Sequence, residues 1–390
     1  MLIPFDTRTP DERSYPREIQ KAVLALTNRG SRSLGELCVG CSGAFPTEIA
    51  AAVARLQLTV ETGQEMGRES TEQVGGSKLE PSPVDYEWRF TSDSAKVIAN
   101  LALTTGKRIL CLGTPSVAGA IASRRTASDC LLIDRNPFVA TGLQDDVDVL
   151  VRDISDLSDT LRSSSYDVVV LDPPWYRDQI EHWFEVACFA ATESGTIVMT
   201  LIPDLARPSA KLDREVVLEH VSSAGKLATQ RHLIFYETPL FEQETLTGLG
   251  LPLLPEWRAT DVAVVKLRRN RPRTQLPLLT TVDHWNRFRF GTQLVALRDS
   301  GDDPSTITVS SIYPDGGFLR RTVSNREPAK DRISFWTSRN RVASVTGLDR
   351  VGPFLLQLEH GATVDDASRT TANDRNELEA LQLITALMGC

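Results

Sequence analysis

The chain has 390 residues, 41% hydrophobic and 24% charged, with a net charge of −8, the composition of an ordinary globular protein of two or three domains. No apolar run is long enough to cross a bilayer. Met1 to Pro16 is polar with mixed charge, unlike a secretory or transit signal, so a cytoplasmic location with no membrane partner is expected.

Residues 1–75 read as a winged-helix-like helical module. Pro16 opens a helix from Glu18 to Leu26 that stops at Asn28 and Gly30, and a short piece follows from Leu34 to Cys38. In Phe45-Pro46-Thr47-Glu48 the proline stands just inside a helix start, where its missing N–H does no harm, and the helix runs from Ile49 to Leu56. Three short helices followed by Leu58-Thr59-Val60-Glu61 and a glycine-containing return look like a winged helix-turn-helix. The third helix is rich in alanine and poor in Lys and Arg, which favours packing or self-association into a homo-oligomer over reading DNA. Cys38-Val39-Gly40-Cys41 is a lone C-x-x-C without a second pair or a nearby histidine, so no metal is expected. Cys111, Cys130 and Cys188 read as small core hydrophobes, and Cys390 is a terminal thiol. Gln73 to Val84, with Gly75-Gly76, Pro81 and Pro83, reads as a linker.

Residues 85–267 alternate between helices and strands. After a helix from Ser92 to Leu103, strands are predicted at Arg108 to Leu112, Cys130 to Asp134, Val147 to Arg152, Tyr166 to Leu171 and Gly195 to Leu201. Helices are predicted from Asp178 to Ala191 and from Leu212 to Ser223. Two last strands, His232 to Tyr236 and Asp261 to Leu267, are joined by a long insertion, Glu237 to Thr260. Such alternation predicts an α/β, Rossmann-like fold: a seven-stranded, mostly parallel sheet covered on both faces. Three positions fall where a dinucleotide-like cofactor needs them. Gly113 ends the first strand and lets the backbone pass close to a ligand, while Asp134, 21 residues on, can take ribose hydroxyls. Asp153, at the end of the third strand, can accept from an adenine amino group.

Beyond Lys266 the character changes. Arg268-Arg269-Asn270-Arg271-Pro272-Arg273 is a basic linker, and residues 275–390 read as a small β-rich accessory domain. Its strand-like runs are Gln293 to Leu297 and Thr306 to Ile312, with a turn at Pro314-Asp315-Gly316-Gly317 and a closing helix from Asn376 to Met388. From Lys266 to Arg350 there are 16 Lys and Arg against 8 Asp and Glu, so this lobe is expected to face a polyanion such as nucleic acid. Trp285, Phe288, Phe290 and Trp336 suit base stacking, but a small core needs the same residues, and the core is favoured for most of them.

The sharpest signal is Tyr166-Asp167-Val168-Val169-Val170-Leu171-Asp172-Pro173-Pro174-Trp175-Tyr176. Two prolines cannot donate to a sheet ladder, so the backbone must leave the sheet there in one rigid shape. Asp172 is held at the mouth of the strand, where open α/β sheets bind ligands. Asp172 and the Pro173 carbonyl can accept the N–H bonds of an amine, while Trp175 or Tyr176 stacks on a ring.

This stretch resembles the Asp-Pro-Pro-Tyr/Trp motif of class I S-adenosylmethionine-dependent methyltransferases that act on amines, the N6-adenine enzymes above all. The resemblance implies S-adenosyl-L-methionine as cofactor, and a catalytic set of Asp172, Pro173, Pro174, Trp175 and Tyr176 acting by positioning and electrostatics. In such a site no general base of raised pKa is required. The closing strands match the family's antiparallel pair, but its first loop is usually Gly-x-Gly, and here it runs Gly113-Thr114-Pro115-Ser116-Val117-Ala118-Gly119. The amino-acid end of the cofactor would lean on Thr114, the Ser116 hydroxyl and helix-start N–H groups. The overall layout is also similar to branched-chain polyamine synthases, which transfer an aminopropyl group, although that family carries an acidic cluster where Thr-Pro-Ser stands here. A third reading is a sensor or scaffold that kept the fold and lost turnover.

Overall fold

The β-branched and apolar runs that end at Gly113, Asp134 and Asp172 lie at the centre of a seven-stranded sheet. The computed structural model describes residues 10–61, 79–124, 129–141, 143, 147–157, 161, 163–269, 284–299, 306–320, 322, 324 and 327–389. They divide into two units, residues 1–77, 89–238 and 252–279, and residues 78–88, 239–251 and 280–390.

The first unit begins with three helices, α1 (Pro10–Asn28), α2 (Leu34–Gly40) and α3 (Pro46–Arg55). Pro16 lies inside α1 instead of opening it, because the helix has already begun at Pro10. Ser33 and Glu36 form a reciprocal capping box that fixes the start of α2. The expected wing strand at Leu58 is not formed: Glu61 makes only an isolated bridge to Ser33, and residues 62–78, where the return was expected, lie outside those described. Cys38 and Cys41 are fully buried, and burial pushes both thiols up, so they behave as core hydrophobes.

The sheet then builds from α4 (Ser92–Thr105), β1 (Arg108–Leu112), α5 (Pro115–Ala122), β2 (Asp129–Asp134), α6 (Pro137–Thr141), β3 (Asp148–Val151), β4 (Tyr166–Leu171), α7 (Arg177–Ala190), β5 (Ala191–Thr200), α8 (Ala210–Ala224), β6 (Gly225–Phe235) and β7 (Ala259–Leu267). Strand order is β3-β2-β1-β4-β5-β7-β6, with β7 antiparallel to both neighbours and the other pairs parallel. The fold is therefore Rossmann-like, with the expected antiparallel closing pair. Leu110, Leu112, Val169 and Leu171 meet Ile180, Phe184 and Val217 of α7 and α8 in one core. By the two-residue alternation of a strand the intervening side chains face the other way, towards α4 and α5.

The second unit gathers α9 (Leu240–Gly248) from within the long insertion. It adds β8 (Trp285–Phe290), β9 (Gln293–Arg298), β10 (Thr308–Ser310), β11 (Phe335–Thr337), β12 (Val342–Thr346), α10 (Leu348–Glu359), α11 (Val364–Thr371) and α12 (Arg375–Met388). The five strands form an antiparallel sheet in the order β10-β12-β11-β9-β8. Three helices rather than one close the chain. Phe288 and Trp336 are core residues, while Trp285 and Phe290 are half-buried.

The basic surplus of the window 266–350 is not a property of the folded unit. That unit draws in carboxylates from elsewhere in the chain and holds 14 Lys and Arg against 19 Asp and Glu, a net charge of −5. Arg339 pairs with Glu80, Arg287 with Asp85, Arg341 with Glu244 and Arg350 with Glu377, all four carboxylates lying outside the window. Arg320 is fully buried, donates to Glu327 at 3.0 Å and lies over the Trp336 ring at 4.4 Å. No described helix is long and apolar enough to cross a membrane.

Gly113 has φ +58, a left-handed conformation, and a methyl group there would lie 2.7 Å from Cη2 of Trp183 on α7. The glycine is thus required by local packing, whatever a ligand needs. Gly113→Ala is expected to destabilise the protein by about 2 kcal/mol, roughly half from the left-handed backbone and half from displacing the indole. Combined with Trp183→Leu, the steric part should vanish in a double-mutant cycle of chemical denaturation midpoints.

Candidate active site at the carboxyl edge of the sheet

Strand register decides which candidates share a site. Leu112 pairs with Ile133 on one side and Leu171 on the other, so Gly113, Asp134 and Asp172 stand level at three adjacent strand ends. Asp134 itself pairs with Val151, which places Asp153 two residues past the next strand position. The chain winds outward to β3 on one side of β1 and to β5 on the other, so the crevice between β1 and β4 is a topological switch point, where such sheets bind ligands.

Asp172 is the best-defined group there. Its Oδ1 accepts hydrogen bonds from Thr200 Oγ1 at 2.5 Å and from the Tyr236 hydroxyl at 2.8 Å. Thr200 is the last residue of β5, and Tyr236 follows the end of β6. Oδ2 has no hydrogen-bond partner among the described residues, nor is it one of the enclosed polar atoms that lack one. One oxygen is therefore anchored and the other presented. Asp172 keeps some open surface, but protein surrounds the carboxyl closely enough that burial pushes its pKa up to about 7, with the bonds from Thr200 and Tyr236 opposing the rise. Tyr236 is held as the neutral phenol, first by burial and then by the adjacent Asp172 charge.

The double proline does what its chemistry dictates. The Pro174 carbonyl accepts from Tyr176 N–H at 2.6 Å, closing a tight turn into α7, while the Pro173 carbonyl has no partner among the described residues. Trp175 packs edge-on against Tyr236 at 5.7 Å, and the Arg258 guanidinium lies over its ring at 5.3 Å. The Arg207 guanidinium lies over the Tyr176 ring at 5.4 Å and donates to the Trp175 carbonyl. Each aromatic side chain of the motif therefore already carries an arginine against its ring.

The cofactor candidates are less uniform. Asp134 Oδ1 caps Asn136 N–H at 2.8 Å. Asp153 accepts from Ser155 N–H at 2.9 Å and pairs with Arg135 at 3.4 Å. Burial alone would raise its pKa, but Arg135 and Ser155 outweigh it and hold the carboxylate ionised. Thr114 departs from expectation: it is 1% exposed, and its hydroxyl is enclosed beneath the loop without a hydrogen-bond partner among the described residues, so it is not turned out towards a ligand in the crevice. Ser116 sits half-buried in the first turn of α5, its hydroxyl without a partner among the described residues. Val117 and Ala118 N–H groups both already bond to the Thr114 carbonyl, so fewer helix-start donors remain than expected.

Thr200, Tyr236, Arg207, Arg258 and Trp183 were not singled out from sequence. A signal existed for two of them, since Thr200 and Tyr236 are polar residues at or beside the carboxyl ends of predicted strands, the place where sites form. Nothing local marked the others. Among the described residues no cluster of His, Cys, Asp and Glu is placed to hold a metal ion.

No family model and no curated protein matches the chain. Among solved structures, the branched-chain polyamine synthase of Thermus thermophilus, in complex with N4-aminopropylspermidine and 5'-methylthioadenosine, is 14% identical with a TM-score of 0.50, over 67% of this chain and 90% of that one. Its C9 mutein with the same ligands matches at the same identity and score over 68% and 93%. At this identity the likeness is one of fold.

Proposed function

We propose that this chain transfers an alkyl group from a sulfonium nucleoside of the S-adenosylmethionine type to an amine nitrogen held by Asp172 and the Pro173 carbonyl. The observation that carries the reading is the Asp172 carboxyl, with Oδ1 anchored by Thr200 and Tyr236 and Oδ2 presented. Such a cofactor, when bound, supplies the electrophilic carbon. Gly113, Asp134 and Ser116 would hold it, with Asp153 through a carboxylate kept charged by Arg135; what supports this is that Gly113 and Asp134 stand level at adjacent strand ends and that the Ser116 hydroxyl has no partner among the described residues.

The protonation state of Asp172 bears on the acceptor. An exocyclic adenine amine is neutral and needs no base before it attacks. An aliphatic amine is an ammonium at neutral pH and must lose a proton to expose its lone pair. A carboxyl with a pKa of about 7 is matched to accept that proton at Oδ2 near neutrality. This favours an aliphatic amine, and the fold it shares with a polyamine synthase is consistent with that. Adenine N6 in nucleic acid, the reading implied by the motif, draws no support from a C-terminal unit of charge −5 or from aromatic rings already stacked by arginines.

Calorimetric titration with S-adenosylmethionine, its decarboxylated form and 5'-methylthioadenosine, followed by label transfer to spermidine or to an adenine-containing oligonucleotide, tests the proposal. Binding of a sulfonium nucleoside and label on the aliphatic amine are expected. Label on the oligonucleotide alone would move the acceptor to adenine. Absence of both binding and transfer would leave the non-catalytic reading.

A further inference from the structure

The N-terminal helices contact the sheet through two loops, and both loops end on Trp175. In the first, the Tyr15 hydroxyl of α1 donates to the Leu205 carbonyl at 2.8 Å, and Leu205 N–H donates to the Ser42 carbonyl at 3.0 Å. Ser42 and Gly43 both have positive φ, +46 and +83, and a methyl on Gly43 would lie 2.7 Å from Pro203. This fixes the loop after β5 against the turn after α2, and the same loop carries Arg207. Arg207 pairs with Asp213 at 2.7 Å, donates to the Trp175 carbonyl and covers the Tyr176 ring.

In the second loop, Phe45, the N-cap of α3, meets Trp257 edge to face at 5.9 Å. Trp257 is 2% exposed, and the Arg258 guanidinium lies over its ring at 4.5 Å and over the Trp175 ring at 5.3 Å. Trp175 is thus held at its backbone through one arginine and at its indole through another, each delivered by a loop on which the helical module rests.

We infer that the N-terminal helical module is a positioning element of the acceptor site, in which Tyr15 and Phe45 set the orientation of Trp175 beside Asp172 through Arg207 and Arg258. The composition of α3 suits a module that works by packing: it buries Pro46, Ile49, Ala52 and Val53 and carries a single basic residue, Arg55. Both chains of contact lead through an arginine that touches Trp175, Arg207 at its carbonyl and Arg258 over its ring. The effect on the acceptor rests on the transferase reading, whereas the effect on Trp175 does not.

Two measurements separate these. In protein labelled with 5-fluorotryptophan, the Trp175 resonance is identified by Trp175→Phe and followed in Tyr15→Phe and Phe45→Leu. Tyr15→Phe removes one hydroxyl and Phe45→Leu keeps an apolar side chain, so both should retain the fold, checked by the thermal midpoint. The Trp175 resonance is expected to shift or broaden in both variants, while those of Trp285 and Trp336 stay in place. In steady-state assays the acceptor KM should rise about tenfold, since small misplacements of positioning groups have effects of this order or larger. Cofactor affinity should stay within about twofold. An unchanged Trp175 resonance in both variants overturns the inference, whether or not the protein turns over. A moved resonance with an unchanged acceptor KM, the decrease falling on kcat in proportion to lost folded protein, also overturns it, because that is the pattern of a purely structural module. If wild-type protein transfers nothing, the transferase reading fails, and the fluorine spectra still decide whether the module orients Trp175.

Discussion

Asp172→Asn is expected to reduce transfer by about 10²- to 10⁴-fold while leaving cofactor affinity unchanged. The range is what a positioned proton acceptor contributes. Asparagine preserves the shape of the side chain and can still accept from Thr200 and Tyr236 through its amide oxygen, but it presents an N–H₂ donor where Oδ2 stood. The acceptor amine then meets a donor and has nowhere to place its proton. In the wild-type protein activity should climb between pH 6 and 8 as the carboxyl ionises around its pKa of about 7, and this limb should be missing in the variant. The same substitution should stabilise the fold. The native-state pKa lies above the ordinary value of 3.8, so the group favours the folded state most below pH 4, and this contribution is lost as pH rises towards and through 7. An amide escapes that loss. The variant's advantage should grow from pH 4 to 7 and level off above, reaching about 1–3 kcal/mol once the remaining solvent contact of the carboxyl is allowed for. Urea denaturation of both proteins at pH 4.5 and 8 measures it. An inactive yet stabler variant above pH 7 is the signature of an acid kept in place for chemistry. Equal activity in the two proteins would remove the carboxylate from the mechanism.

Much of the frame was legible because its signals are local. The apolar runs ending at Gly113, Asp134 and Asp172 became β1, β2 and β4 within a residue of expectation, and the Asp-Pro-Pro corner left the sheet where the prolines required. The edge strand β6 was not: it begins at Gly225, seven residues before His232, because most of Lys226 to Arg231 faces solvent and its polar side chains hide the strand pattern. The charge of the second unit was hidden for a different reason. A window of consecutive residues carries a basic surplus, whereas the unit is assembled from three separate segments and brings in its own counter-charges, Glu80, Asp85, Glu244 and Glu377. The inner half of the site was hidden in the same way. Thr200 and Tyr236 lie 28 and 64 residues beyond Asp172, and only the order β4-β5-β7-β6 brings them to one carboxyl oxygen. Burial of that carboxyl, opposed by those two bonds, also raises its pKa to about 7, a shift that the motif's chemistry did not call for.

Tyr236→Phe tests whether that base is tuned by its neighbours rather than merely buried. The phenol donates to Asp172 Oδ1 and stabilises the ionised form, while burial opposes it. Removing the hydroxyl takes away a hydrogen bond to a charged group, an interaction of about 1.5–3 kcal/mol, and leaves burial unopposed on that side. The Asp172 pKa must then rise, by roughly one to two units at about 1.4 kcal/mol per unit. At pH 7 the ionised fraction falls about 5- to 50-fold, and transfer should fall with it. Raising the pH to 9 should recover most of the loss, because the carboxylate, once formed, still presents Oδ2. The ring is retained, so the edge contact with Trp175 at 5.7 Å and the tilted contact with Phe90 at 5.0 Å persist and the acceptor KM at high pH should be close to wild type. Thr200→Val should act in the same direction, since the Thr200 bond also favours the ionised form. A pH–rate profile distinguishes this account from its rival. If Tyr236 itself exchanged a proton with the acceptor, its loss would lower the rate at every pH and no alkaline recovery would be seen. The rival is already disfavoured by chemistry, because burial and the Asp172 charge hold the phenol well above its ordinary pKa of 10 and keep its proton in place throughout the neutral range.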